Sequence, residues 1–148
     1  MENRYLFRAK RIDNGEWVEG YYTYYPHGFT SEDKMEHVIR DTVTSGDCNK
    51  LYFVDPSTIC QCTGINDKNG KLIWENDVIT ISAYDYLEPT DDYTGIVCYS
   101  EKDVCWCLKD FENEEKIIPI CECYGEYVTE ITKLGNIFDN PELLEQEG

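Results

Sequence analysis

The sequence predicts an all-β protein made of two small packed subdomains. Three observations carry that expectation. Helical periodicity is weak, short runs rich in aromatic and β-branched residues recur, and Asn, Asp, Gly and Pro clusters separate them. The pattern gives roughly ten to twelve short strands, at spacings typical of sandwiches and small barrels.

The elements follow in order. Arg4 to Ala9 alternates imperfectly and leads to Asn14-Gly15, a strong hairpin dipeptide. Trp17 to Tyr25 returns as an aromatic-rich strand that ends at Pro26, His27 and Gly28. Residues 29–36 read as a polar loop in which Ser31 to Met35 can open a short helix, and His37 to Arg40 forms a third strand. After a loop to Lys50 come Leu51 to Val54, stopped by Asp55-Pro56, and the period-2 run Thr58 to Thr63. Asn66 to Gly70 is a compact turn, because Asn and Gly accept positive φ at little cost. Lys71 to Trp74 returns, Glu75-Asn76-Asp77 punctuates, and Val78 to Ile81 begins a second series. Tyr84 to Tyr93 is an acidic loop. Thr94 to Tyr99 and Val104 to Leu108 form a hairpin around Ser100 to Asp103. Lys116 to Ile120 and Leu134 to Phe138 are the last strands. Asn140 then caps a short terminal helical turn with Pro141 at its first position.

Charge divides the chain. Residues 1–74 hold 11 acids and 9 bases, whereas residues 75–148 hold 19 acids and 4 bases, so the net charge of −17 falls mostly on the second half. The shift coincides with the break at residues 75–77 and sets the expected boundary: an N-terminal β subdomain over residues 1–74 and an acidic C-terminal one over 75–148. Such a surface repels phosphate backbones and anionic membranes, so no direct nucleic-acid or membrane binding is expected. The short apolar runs predict neither a membrane span nor a signal-peptide core, and a cytoplasmic location follows.

Six of eight cysteines form Cys-x-Cys pairs: Cys60/Cys62, Cys105/Cys107 and Cys121/Cys123. On an extended strand such a pair shares one face at a separation of about 6.5 Å, too far for one zinc ion without a bend. Packing as small hydrophobes is the leading reading, with metal binding and redox chemistry as the others. Gly64, Lys68 and Gly70 miss the phosphate-loop spacing and read as a turn. His27 and His37 connect to no nucleophile, and the Asp91-Asp92 and Glu112 to Glu115 clusters lack the spacing of a calcium loop. No catalytic, cofactor-binding or metal-ligating residues are assigned. The surface candidate is aromatic: Tyr22 and Tyr24 share one strand face, Tyr21 and Tyr25 the other. One face enters the core or a subunit interface, and Tyr22 and Tyr24 are the candidate oligomer interface.

Several segments together resemble the YopX family of phage and prophage proteins. They are Phe7-Arg8-Ala9, Asn14-Gly15 and Trp17 to Tyr21; then Val54 to Thr58, Gln61, Thr63-Gly64, Asp67 to Lys71 and Glu75 to Ile79; and finally Gly95 to Val97 and Gly135 to Leu144. Asn76 stands where that family usually has Gly, and Cys60 and Cys62 where it has Gly and an aromatic residue. The resemblance implies two all-β subdomains, the second an SH3-like small barrel, homo-oligomer formation and a phage context, with no established activity. The expected function is that of a non-enzymatic accessory protein in the host cytoplasm. It would bind a host or phage macromolecule, such as a basic protein, through its acidic second half. The rivals are a metal-dependent enzyme with an unrecognised site and a structural or assembly protein.

Overall fold

A computed structural model describes residues 5–26, 35–41, 50–84, 92–113, 115–120 and 128–145, and it is all-β, with eleven strands among the described residues. The helix opening at residues 31–34 and most of the acidic loop after Tyr84 lie outside them, as do His27, Cys121 and Cys123. The chain separates into two compact units, Met1–Cys62 and Thr63–Gly148.

In the first unit, β1 (Phe7–Lys10), β2 (Trp17–Pro26), β3 (Met35–Asp41) and β4 (Leu51–Phe53) pair in antiparallel succession. The opening residues of β5 (Cys60–Asn66) pair with the other edge of β1, at Phe7↔Gln61 and Arg8↔Cys60. The first hairpin has a longer loop than a two-residue Asn-Gly turn. Arg11 N–H donates to the Glu16 carbonyl at 2.9 Å, and Gly15 takes the left-handed φ of 72°. Arg11 has a second partner, because it bridges to Val54 just past β4. Ile12 N–H donates to the Phe53 carbonyl at 3.0 Å and Asp55 N–H to the Lys10 carbonyl at 2.8 Å. The far edge of β4 is thereby stitched back to the end of β1, which closes the four strands on themselves and leaves less edge exposed. Ala9, Ile39 and Val54 fill the interior, with Phe7, Val18, Tyr52 and Ile59 packed against them. Gly20 is required where β2 meets β3: a Cβ there would lie 1.9 Å from the Arg40 carbonyl oxygen.

The second unit begins within β5, which turns through residues 67–71 into β6 (Leu72–Trp74). Asp67 builds that turn, its carboxylate accepting from the N–H groups of Asn69 and Lys71, each at 2.8 Å. A five-stranded antiparallel sheet follows in the order β10-β9-β8-β7-β11. Its strands are β7 (Asp77–Tyr84), β8 (Tyr93–Ser100), β9 (Cys105–Lys109), β10 (Ile117–Pro119) and β11 (Val128–Asn136). Among the described residues no pairing joins the outer strands β10 and β11, so the antiparallel sheet is shown and the closure expected of a barrel is not. The core is branched and aliphatic: Ile73, Ile79, Ile81, Val97, Leu108, Ile120 and Ile131, flanked by Ile65 and Trp106.

Three local readings change. The last strand runs Val128–Asn136 rather than 134–138, with a register shift between Lys133 and Gly135. The Asn136 side-chain oxygen takes the N–H groups of Phe138 and Asp139, which turns the chain out of the sheet. The terminal turn Pro141–Glu145 is 3-10, and the Asn140 side-chain oxygen accepts from Asn136 N–H behind it at 3.2 Å rather than from the turn ahead. The unit boundary falls after Cys62, not at residue 75. The charge step marks a change of surface, whereas the β5–β6 segment delivers Ile65 and Ile73 to the core of the second unit.

Candidate functional site

Strand alternation in β2 and the β2–β3 register bring Tyr22, Tyr24 and His37 to one face, Tyr24 lying directly opposite His37. The rings stack: Tyr22 and Tyr24 each lie 5.8 Å from the His37 ring, at interplanar angles of 6° and 25°. Phe7 extends the row, 5.6 Å from Tyr22. The Tyr22 hydroxyl and His37 Nδ1 share a hydrogen bond of 2.5 Å. Burial raises the Tyr22 phenol above its ordinary value, with the neighbouring Tyr24 adding to the effect, so the hydroxyl keeps its proton at neutral pH. Tyr22 is half-buried, whereas Tyr24 is 58% exposed. The ladder therefore runs from the core outward and ends on an uncovered aromatic face. Its histidine was the part the sequence left unconnected, because only pairing across β2 and β3 brings it to the tyrosines.

Cations of the first unit also lie on rings. The Arg8 guanidinium sits 4.6 Å from the centre of the Trp17 ring, with Lys10 at 5.3 Å, and Arg11 sits 4.6 Å from that of Tyr52 while pairing with Asp13.

In the second unit the motif residues turn out to be architectural. Asn76 adopts φ 70°, the left-handed conformation that glycine and asparagine tolerate. Its backbone ties to Val97 and Ile137. Asp77 is fully buried; one carboxylate oxygen accepts from Trp74 N–H at 2.8 Å and meets Lys133 Nζ at 3.2 Å. Sequence reading missed this pair, since 56 positions separate Asp77 from Lys133 (133 − 77) and nothing local links them. Burial acts to raise the Asp67 carboxyl, but the N–H donors of Lys71 and Asn69 outweigh it and hold the group below the usual range. Asp110 is lowered in the same way by Glu112 and Asn113. These carboxylates are turn locks.

Other acids of the second unit lie on the surface, some of them bonded to neighbouring side chains, as Asp103 is to Ser100, Asp139 to Asn136 and Glu142 to Asn140. Asp92, Glu101, Asp103, Glu112, Glu115, Glu130, Asp139, Glu142 and Glu145 are all exposed. A cleft of about 340 Å³ is lined by Asp92, Lys109, Asp110 and Lys116 among others, but Asp110 is already engaged by its turn. Among the described residues, no group of three His, Cys, Asp or Glu side chains is arranged to hold a metal ion. Cys60 and Cys62 are buried. No helix among them is long and apolar enough to cross a membrane.

A family model described as YopX protein matches residues 6–145. No curated protein matches the chain.

Proposed function

The chain belongs to the YopX family over nearly its whole length, and from that premise we propose that it is a phage or prophage accessory protein of the host cytoplasm, which works by binding a basic macromolecule rather than by catalysis. The observation that carries this reading is the charge left over at the surface of the second unit. The second unit carries six lysines against 20 acids, and Lys133 is committed to the buried Asp77, so its charge offsets none of the exposed carboxylates. An uncompensated acidic surface attracts cationic proteins at long range and repels nucleic acid. The test is capture from host lysate at low and moderate salt by the native protein and by a variant carrying Glu112→Gln, Glu115→Gln, Glu142→Gln and Glu145→Gln. Basic proteins are expected to be enriched by the first and lost by the second. Equal capture by both, or retention of DNA at physiological salt, overturns the reading.

A second element is self-association through Tyr22 and Tyr24. The exposure of Tyr24 at the outer end of a stacked ladder supports it, since tyrosine buries area at low entropy cost. Sedimentation of the native protein is expected to give an oligomer that Tyr24→Ser dissociates. A native monomer, or an unchanged mass in the variant, removes these residues from any interface.

A further inference from the structure

Three thiols gather on the face of β8 and β9 opposite the isoleucine core. Cys98 stands directly across from Cys107, and Cys105 lies two residues before it. A fully extended strand would separate Cys105 and Cys107 by about 6.5 Å, yet their Sγ atoms are 3.7 Å apart. The chain enters β9 through Val104 at φ 53°, a left-handed conformation costly for a β-branched residue. From Cys105 onward the register with β8 is regular, so the short sulfur–sulfur distance comes from the two side chains turning toward each other. The two sulfurs differ in access: Cys105 is half-buried and Cys107 is fully buried. The Cys107 thiol also reaches the Cys105 carbonyl oxygen at 3.6 Å. A separation of two residues along a strand falls near the upper end of the Cα spacing, about 4.4–6.8 Å, that a disulfide accepts.

We infer that Cys105 and Cys107 form a reversible dithiol–disulfide pair that exchanges with small disulfides. The Cys105 thiolate attacks one sulfur of a small disulfide RSSR, forming a mixed disulfide and releasing RS⁻. Cys107 then gives up its proton and attacks Cys105 Sγ, which expels the second RS⁻. The products are the Cys105–Cys107 disulfide and, after protonation, two RSH; the protein loses two electrons and RSSR gains them. Burial, followed by the hydrogen bond to Cys105, pushes the Cys107 thiol up to about 12. That keeps the buried sulfur from reacting first and sets the order of attack.

Trypsin cleavage after Lys102 and Lys109 isolates both sulfurs in one peptide with no other cysteine. The native full chain is incubated with glutathione disulfide, alkylated and digested without reductant. Peptide 103–109 is expected to lose the mass of two hydrogens, to take no alkyl label, and to recover both on treatment with dithiothreitol. Cys107→Ser should stop at a stable glutathione adduct on Cys105, and Cys98→Ser should leave the disulfide intact. The inference is overturned if the native peptide is alkylated at both sulfurs after incubation, or if Cys98→Ser abolishes the bond. The native peptide mass decides the matter even where a variant fails to fold.

Discussion

The two units share strand architecture and differ in what their cations do. Residues 1–62 carry 10 acids and 7 bases, and residues 63–148 carry 20 and 6, which sum to the chain totals of 30 and 13. In the first unit Arg8, Lys10 and Arg11 lie over Trp17 and Tyr52, so positive charge is held against aromatic faces, and the net charge is only 7 − 10 = −3. In the second, Lys133 reaches inward to a buried carboxylate while acids cover the turns. Net charge therefore says little about how a unit is held together. One is closed by backbone stitching around a small mixed core, the other by an isoleucine-rich core anchored at an ion pair.

The sharpest way to break this contrast is Lys133→Met. It leaves Asp77 buried without its cation and should cost about 3 kcal/mol or more in urea unfolding. A loss well below that places the pair among features the second unit does not need. Gly20→Ala strikes the first unit, where the Cβ clash with the Arg40 carbonyl cannot relax without parting β2 from β3; about 2–3 kcal/mol is expected from the same measurement. Val104→Asn should act in the opposite direction, since asparagine accepts the left-handed φ, and raise stability by about 1 kcal/mol.

The smallest effects appear at the extremes of pH. Asp55, Asp67 and Asp110 titrate below the ordinary 3.8 when folded, so their contribution is complete above that value and is lost as pH falls through their folded values. Asp110→Ala should flatten the acid limb of a stability–pH curve. Cys107 works in reverse. Its folded value is raised from 9.0 to about 12, so its contribution is full below 9 and disappears as pH climbs toward 12. Cys107→Ala should remove that part of the alkaline loss, and an unchanged alkaline slope in the variant contradicts it.

Most of the fold was legible because its signals are local. Turn chemistry at Asp67 to Gly70 and at Asn76 acts through a side-chain oxygen or a tolerated φ within a few residues, and strand runs announce themselves by composition. The candidate surface was half legible. Alternation puts Tyr22 and Tyr24 on one face, but His37 joins them only through β2–β3 pairing. The unit boundary was misplaced for a related reason, since charge reports on solvent-facing positions and Ile65 and Ile73 declare their unit only through what they pack against.

By itself the sequence determined the all-β class, the family resemblance and the acidic second half, since each depends on residue type and near-neighbour spacing. Tertiary structure alone decided the Arg11–Val54 closure, the Asp77–Lys133 pair, the ladder through His37 and the 3.7 Å approach of Cys105 to Cys107. Each of these joins groups whose meeting depends on strand register or on a side chain's direction, and composition and spacing encode neither.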